Sequence, residues 1–316
     1  MSGHRSSAEA VRLAVTAEEA GFDEVWLTED YLERGIYAVA GAIAAVTTRV
    51  TIGLGVVNPF TRHPGVIAME TAALDELADG RVVLALGASN ERWMRDWLGI
   101  EYSKPLGAVR EARQVITELL SNGAVDIDGD RFSVHARMSF TPDQRTPIWY
   151  GVKGSRGLQA ARDDADGVVL SVLTSPAYVE WVRQIVGADV RLGAFVELAT
   201  GPDGAAARDS LRAFVARFLG MHGDQPITRV AGLDPAVASQ FRAATLAGTP
   251  DVTAVTEEIL DAFVVAGDLD HCAAGLRRFA DAGLDSLIVG DRPEEAGDRV
   301  VATTVSCWDA AGLART

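Results

Sequence analysis

Cysteine is scarce: Cys272 and Cys307 are the only two in 316 residues. No Cys-x-x-Cys, His-x-x-x-His or His-Glu-x-x-His spacing occurs, so the usual zinc frameworks are excluded and no metal site is expected. A disulfide scaffold is unsupported as well. No stretch approaches the roughly 20 apolar residues of a membrane span. The opening Met-Ser-Gly-His-Arg-Ser-Ser lacks the apolar core of a signal peptide. A cytoplasmic protein with no membrane partner is expected. Lysine is nearly absent too; Lys104 and Lys153 stand alone and every other basic residue is arginine. Acidic residues outnumber basic ones 44 to 29, a formal charge of −15. A nucleic-acid partner, which wants a basic face, is excluded on that ground.

What is present is a long apolar alternation, with 48% hydrophobic residues. Strand-like runs fall at 24–28, 50–57, 81–87, 147–152, 167–173, 190–199 and 286–290. Helical spacing fills the intervals: 8–20, 38–47, 64–77, 106–120, from 155, from 176, 205–219, 270–282, and a last helix through Trp308. The strands are apolar on both faces, as in a parallel sheet covered by helices. Repeated βα units of this length imply a doubly wound sheet or a (β/α)8 barrel. Residues 1–316 read as one domain with two interruptions. A hairpin at 125–135 turns at Asp128-Gly129. The stretch 220–268 shows short helical patches and no strand. Seven core strands are counted where a barrel has eight. The first strand is missing, so a start codon upstream of Met1 is expected; in a native chain, dimerisation or another segment is expected to cover the seam.

Function in parallel α/β folds gathers at the carboxyl ends of strands. Polar residues cluster there after five strands: Glu29-Asp30-Tyr31, Asn58 to His63, Ala88 to Arg92, Lys153 to Arg156, and Glu197. Loops are polar in any case, and Asp, Asn and Ser cap helices. "GVKGSRG" (151–157) follows a strand and opens a helix. It offers close backbone approach and an anion-attracting helix start, with Lys153 and Arg156 adding charge. Its spacing is not the dinucleotide fingerprint. A tight turn with Ser155 as helix cap is the plain alternative. His63 reads either as a proton donor or acceptor or as a hydrogen-bonded turn residue before Pro64. Glu197 interrupts an apolar strand, so it is either a site carboxylate or half of a salt bridge. Trp93 and Trp97 read as local packing. No Ser-His-Asp order, nucleophile elbow or paired-carboxylate motif stands out. An anion cradle without a protein nucleophile suits cofactor chemistry.

Four segments sharpen this. "VWLTEDY" (25–31) with Tyr37, "IGLGVVNPFTRHP" (52–64), "ALDELADGRVVLALGAS" (73–89) and "LGIEYSKP" (98–105) together resemble the luciferase-like flavin and deazaflavin oxidoreductases. The likeness is strongest to the methylenetetrahydromethanopterin reductase-like branch; beyond residue 107, "GVKGSRGLQAARDDADGVVLS" (151–171) continues it. The resemblance implies a luciferase-like (β/α)8 TIM barrel, with a small-molecule substrate and a homodimer. The implied cofactor is the deazaflavin coenzyme F-420 (F420), with FMN the alternative. It implies that Asp30 and Asn58 face the ring. Gly55 and Val56 would form a bulge behind it through a non-proline cis peptide bond, and Ser89 would help hold it. Gly151, Lys153, Gly154 and Ser155 would meet the phosphate. Asp30, His63 and Glu197 are then the candidate proton-transfer groups. Two positions depart from the branch: Lys153 replaces a commonly neutral residue, and Asp30-Tyr31 replaces a frequent Asp-His pair. The function implied is hydride transfer between F420 and a small organic substrate. An FMN-dependent monooxygenase and a non-catalytic flavin-binding protein are the alternatives.

Overall fold

The computed structural model describes residues 1, 3–142, 145–292 and 295–314. The chain divides into two compact units. The first is Met1–Gly151 with Asp164–Gly167; the second is Val152–Asp163 with Val168–Thr316.

In the first unit, strands β1 (Glu24–Leu27), β2 (Thr51–Val57) and β3 (Val82–Leu86) lie parallel in that order. Helices α1 (Ser7–Glu19), α2 (Ile36–Ala44) and α3 (Pro64–Leu77) alternate with them. Helix α1 is closed by a capping box: Ser6 accepts from Glu9 N–H while the Glu9 carboxylate accepts from Ser6. Helix α3 has Pro64 in its first turn, where a missing N–H costs nothing. Asp75, in the Leu-Asp-Glu-Leu segment, is buried. It accepts from Val82 N–H at 3.2 Å and Thr146 Oγ1 at 2.9 Å, which anchors α3 at the base of β3.

Trp93–Trp97 forms a single π-helical turn, which the sequence reading did not resolve. The two indoles stack with centroids 5.5 Å apart, as local packing requires. Helix α4 (Pro105–Asn122) ends at Gly123, whose φ of +65° is the left-handed stop that glycine favours. The expected hairpin is β4 (Ala124–Asp128) against antiparallel β5 (Ser133–Arg137). Strand β6 (Ile148–Tyr150) then pairs in parallel with β3.

The second unit starts with α5 (Ser155–Asp164). It continues through β7 (Gly167–Leu170), α6 (Pro176–Val186) and β8 (Arg191–Val196). Here two expectations fail. The run 190–199 is not one strand: β8 stops at Val196, and β9 (Leu198–Thr200) joins a separate two-stranded sheet. Its partner β10 (Val265–Gly267) lies inside the stretch expected to hold no strand. Both pieces are only three residues long, too short to show a period. Between them come α7 (Gly204–His222), α8 (Pro226–Arg229), α9 (Pro235–Leu246) and α10 (Glu257–Phe263). Helices α7, α9 and α10 share a core of Leu211, Val215, Leu219, Phe241, Leu260 and Phe263. Helix α11 (Leu269–Asp281), strand β11 (Ser286–Val289), which pairs in parallel with β8, and helix α12 (Gly297–Ala311) complete the chain. Seven long-sheet strands are therefore present among the described residues, the number counted from sequence.

Candidate active site

Strand β2 loses its register with β3 between Gly55 and Val57, and the Gly55–Val56 peptide bond is cis. Val56 is the extra residue, a bulge in a parallel pair. Its half-buried side chain gives a packing reason for glycine at positions 87 and 151. A Cβ placed on Gly87 would stand 2.7 Å from Val56 Cγ2, and one on Gly151 would stand 2.4 Å from Val56 Cγ1. Neither position accepts a side chain unless Val56 moves. The strand ends nevertheless stay paired: Gly87 N–H donates to Val57 O at 3.1 Å and Gly151 N–H to Leu86 O at 2.8 Å. The result is a half-exposed apolar knob seated against two glycines.

Asn58 is fully buried. Its Oδ1 accepts from Phe60 N–H at 2.9 Å, which fixes the amide's orientation. Its Nδ2 therefore donates to Tyr31 Oη at 2.7 Å and toward Ala88 O at 3.3 Å. The resemblance has Asn58 facing the ring; in the structure the side chain reaches no surface and meets Tyr31 instead. Tyr31, which stands in the strand-end cluster and in the "VWLTEDY" segment, has no role of its own from sequence. Its half-buried ring stands edge-on to Trp93 at 5.8 Å. Burial raises the phenol above its usual range, partly offset by Ser89 and Asn58, so the hydroxyl keeps its proton at neutral pH. Ser89 takes a left-handed φ of +60°, and its carbonyl accepts from Tyr102 Oη at 3.3 Å. Asp30, half-buried, accepts from Thr28 Oγ1 at 2.8 Å.

The neighbouring charges are paired among themselves. Arg62 bridges Glu29 at 2.9 Å and Glu70 at 2.8 Å, and lies over the Tyr37 ring at 5.0 Å. His63 is exposed; its Nδ1 accepts from Gly65 N–H at 3.1 Å, capping α3. Of its two readings, the hydrogen-bonded turn residue is the one the structure displays.

In the second unit, Gly154 O accepts from Leu158 N–H at 3.0 Å, which places the helix cap on Gly154. Ser155, considered for that role, is instead the first helical residue and is exposed. Gly154 has no side chain to cap the first amides, and a Cβ there would meet nothing within 4 Å. Lys153 is half-buried, and its carbonyl accepts from Tyr178 Oη at 2.6 Å. Its Nζ lies 3.4 Å from His222 Nδ1. Burial lowers the ammonium below its usual range. His222, at the end of α7 and 4% exposed, donates from Nε2 to Val172 O at 3.0 Å. Burial, and next the Lys153 charge, push its pKa down to about 3, so the ring is neutral. In sequence His222 lies just beyond the helix expected at 205–219 and carries no signal of its own.

Glu197 occupies the break between β8 and β9 and is 4% exposed. Its Oε2 lies 3.7 Å from Arg292 Nη1, and Arg292 also binds Glu295 at 2.5 Å. A Cβ on Gly290 would lie 2.0 Å from Glu197 Oε1, so glycine makes room for the carboxylate. The salt-bridge reading of Glu197 is the one observed.

The family profile of the luciferase-like monooxygenases matches residues 1–286. This chain belongs to the luciferase-like monooxygenase family. Within it, a 5,10-methylenetetrahydromethanopterin reductase of Methanolobus tindarius is 29% identical over 290 residues, covering 88% of each chain. The enzyme of the same name from Archaeoglobus fulgidus is 28% identical over 290 residues, covering 87% of this chain and 86% of its own. The solved coenzyme F420 dependent tetrahydromethanopterin reductase from Methanopyrus kandleri superposes with a TM-score of 0.84 at 22% identity. It covers 96% of this chain and 95% of its own. That likeness shows the fold, the α/β luciferase-like barrel class. The chain is an oxidoreductase of this family. Among the described residues no helix is long and apolar enough to cross a membrane.

Proposed function

We propose that this luciferase-like chain binds coenzyme F420 and moves a hydride between it and a small organic substrate. The observation that carries the reading is Val56 standing between Gly87 and Gly151, where any side chain would collide with it. The residues present fit a flat ring system: the half-exposed Val56 side chain, seated against Gly87 and Gly151, supplies an apolar backstop. The reductases to which the chain is similar support F420 over FMN.

When bound, the cofactor supplies the hydride donor or acceptor. The chain supplies position, exclusion of water and charge placement. Ser89 and Asp30 border the ring-binding side. Asn58, being buried, acts through Tyr31 and directs its hydroxyl. Tyr31 holds a proton at Oη and is the group we assign to protonating a substrate heteroatom. Asp30 is the second candidate. His63 and Glu197 are engaged in the helix cap and the Arg292 pair. Gly151, Lys153, Gly154 and Ser155 would meet the phosphate, the lysine by charge and the first helix amides by hydrogen bonds.

The test is turnover. Purified protein is mixed with reduced F420 and a panel of carbonyl, imine and alkene compounds, and cofactor oxidation is followed by absorbance without oxygen. Substrate-dependent oxidation is expected for at least one class. Oxygen consumption with reduced FMN, and no reaction with F420, would instead establish a monooxygenase. Cofactor that binds and never turns over would establish a binding protein.

A further inference from the structure

Lys104 and Lys153 are the only lysines, and their surroundings differ. Lys104 is exposed and pairs with Asp130 at 2.9 Å. Lys153 is drawn into the protein and, among the described residues, has no carboxylate within ion-pair distance. Its side-chain partner is the imidazole of His222. The tautomer of that ring is set by the backbone. Val172 O can only accept, so Nε2 carries the hydrogen and Nδ1 presents a lone pair to the ammonium. A lone pair holds the ammonium in place without cancelling its charge. A carboxylate in the same position would hold it and cancel the charge.

We propose that His222 is a positioning residue: a neutral acceptor that fixes Lys153 beside the open helix start at Gly154 and leaves its positive charge free for the phosphate of the cofactor. Lys153 contributes the charge and His222 the placement, from a helical stretch whose sequence shows no binding motif. This inference rests on the F420 reading for the identity of the anion, but not for the presence of an anion site.

The experiment compares affinity for F420 with affinity for its phosphate-free chromophore, read by fluorescence, in wild type and variants of confirmed fold. The ratio of the two affinities isolates the phosphate. Lys153→Ala should lower that ratio roughly 10- to 100-fold, the scale of a charge-assisted hydrogen bond. His222→Glu should lower it as far, although Lys153 is intact. His222→Gln, which keeps a neutral acceptor, should stay within about threefold of wild type, well below the effect of losing a charged bond. His222→Leu, with no acceptor, should lower the ratio while leaving chromophore binding unchanged. Should the Glu variant fail to fold, the Leu and Gln variants decide the matter alone. A wild-type ratio in His222→Leu would overturn the proposal. So would equal losses for both ligands in the Gln and Leu variants, the mark of a merely structural histidine. If wild type binds neither ligand, the F420 reading falls by itself. The site is then tested with inorganic phosphate by phosphorus NMR. Line broadening that Lys153→Ala and His222→Glu abolish and His222→Gln keeps supports the inference; no broadening in wild type overturns it.

Discussion

In the first unit, polar groups beyond the strands close on one another. Asn58 holds Tyr31 and is held by Phe60 N–H, and Arg62 is shared by Glu29 and Glu70. In the second unit, Lys153 ends on a neutral imidazole. The contrast separates two kinds of site. A self-satisfied network fixes geometry, since buried polar groups are costly unless paired. A cation with only a neutral partner keeps its affinity for an outside anion.

The glycines sharpen the contrast most. Gly151 and Gly154 belong to one seven-residue motif, yet only Gly151 faces a neighbouring side chain at close range. Gly151→Ala should destabilise the fold by about 1–3 kcal/mol, the usual cost of overpacking. Gly154→Ala should cost less than about 1 kcal/mol, the scale of a helix-cap change. Urea unfolding of both variants gives the comparison; equal losses would mean that Val56 yields freely. Next comes Asn58→Ala, which leaves Phe60 N–H without its acceptor and frees Tyr31. A loss of about 1–3 kcal/mol is expected, with slower turnover once a substrate is known. An unchanged unfolding midpoint would remove Asn58 from the framework.

Another effect is tied to pH. His222 has a folded pKa of about 3 against an unfolded value of about 6.5. Its contribution is therefore intact above pH ~6.5 and is lost as pH falls toward 3, at about 1.4 kcal/mol per pH unit. His222→Gln should show a shallower acid decline over that window in urea midpoints measured across pH. Parallel curves would mean that His222 protonates in the folded state. The smallest effect is at Lys104, exposed against Asp130, where Lys104→Ala should leave both stability and cofactor affinity unchanged. A measurable loss of cofactor affinity there would break the distinction between the two lysines.

Much of this was legible in the sequence, and unevenly. The parallel strands read clearly because both of their faces are apolar, and α3 and α6 start at the prolines that mark their first turns. The bulge at Val56 came from resemblance, since periodicity alone does not distinguish "GLGVV" from a regular strand. Glu197 and His63 had two readings each because burial and capping are three-dimensional facts. His222 was invisible for a similar reason. Its meaning comes from Val172 and Lys153, which are 50 and 69 residues away in sequence. Tyr31 was visible but undervalued, because its partner Asn58 is 27 residues on.

The measurement that bears most directly on the central claim is an equilibrium titration of the purified chain with F420, followed by fluorescence, with FMN as competitor. Saturable micromolar binding of F420 that FMN does not displace is the expected result. Micromolar binding of FMN, with none of F420, would contradict the account.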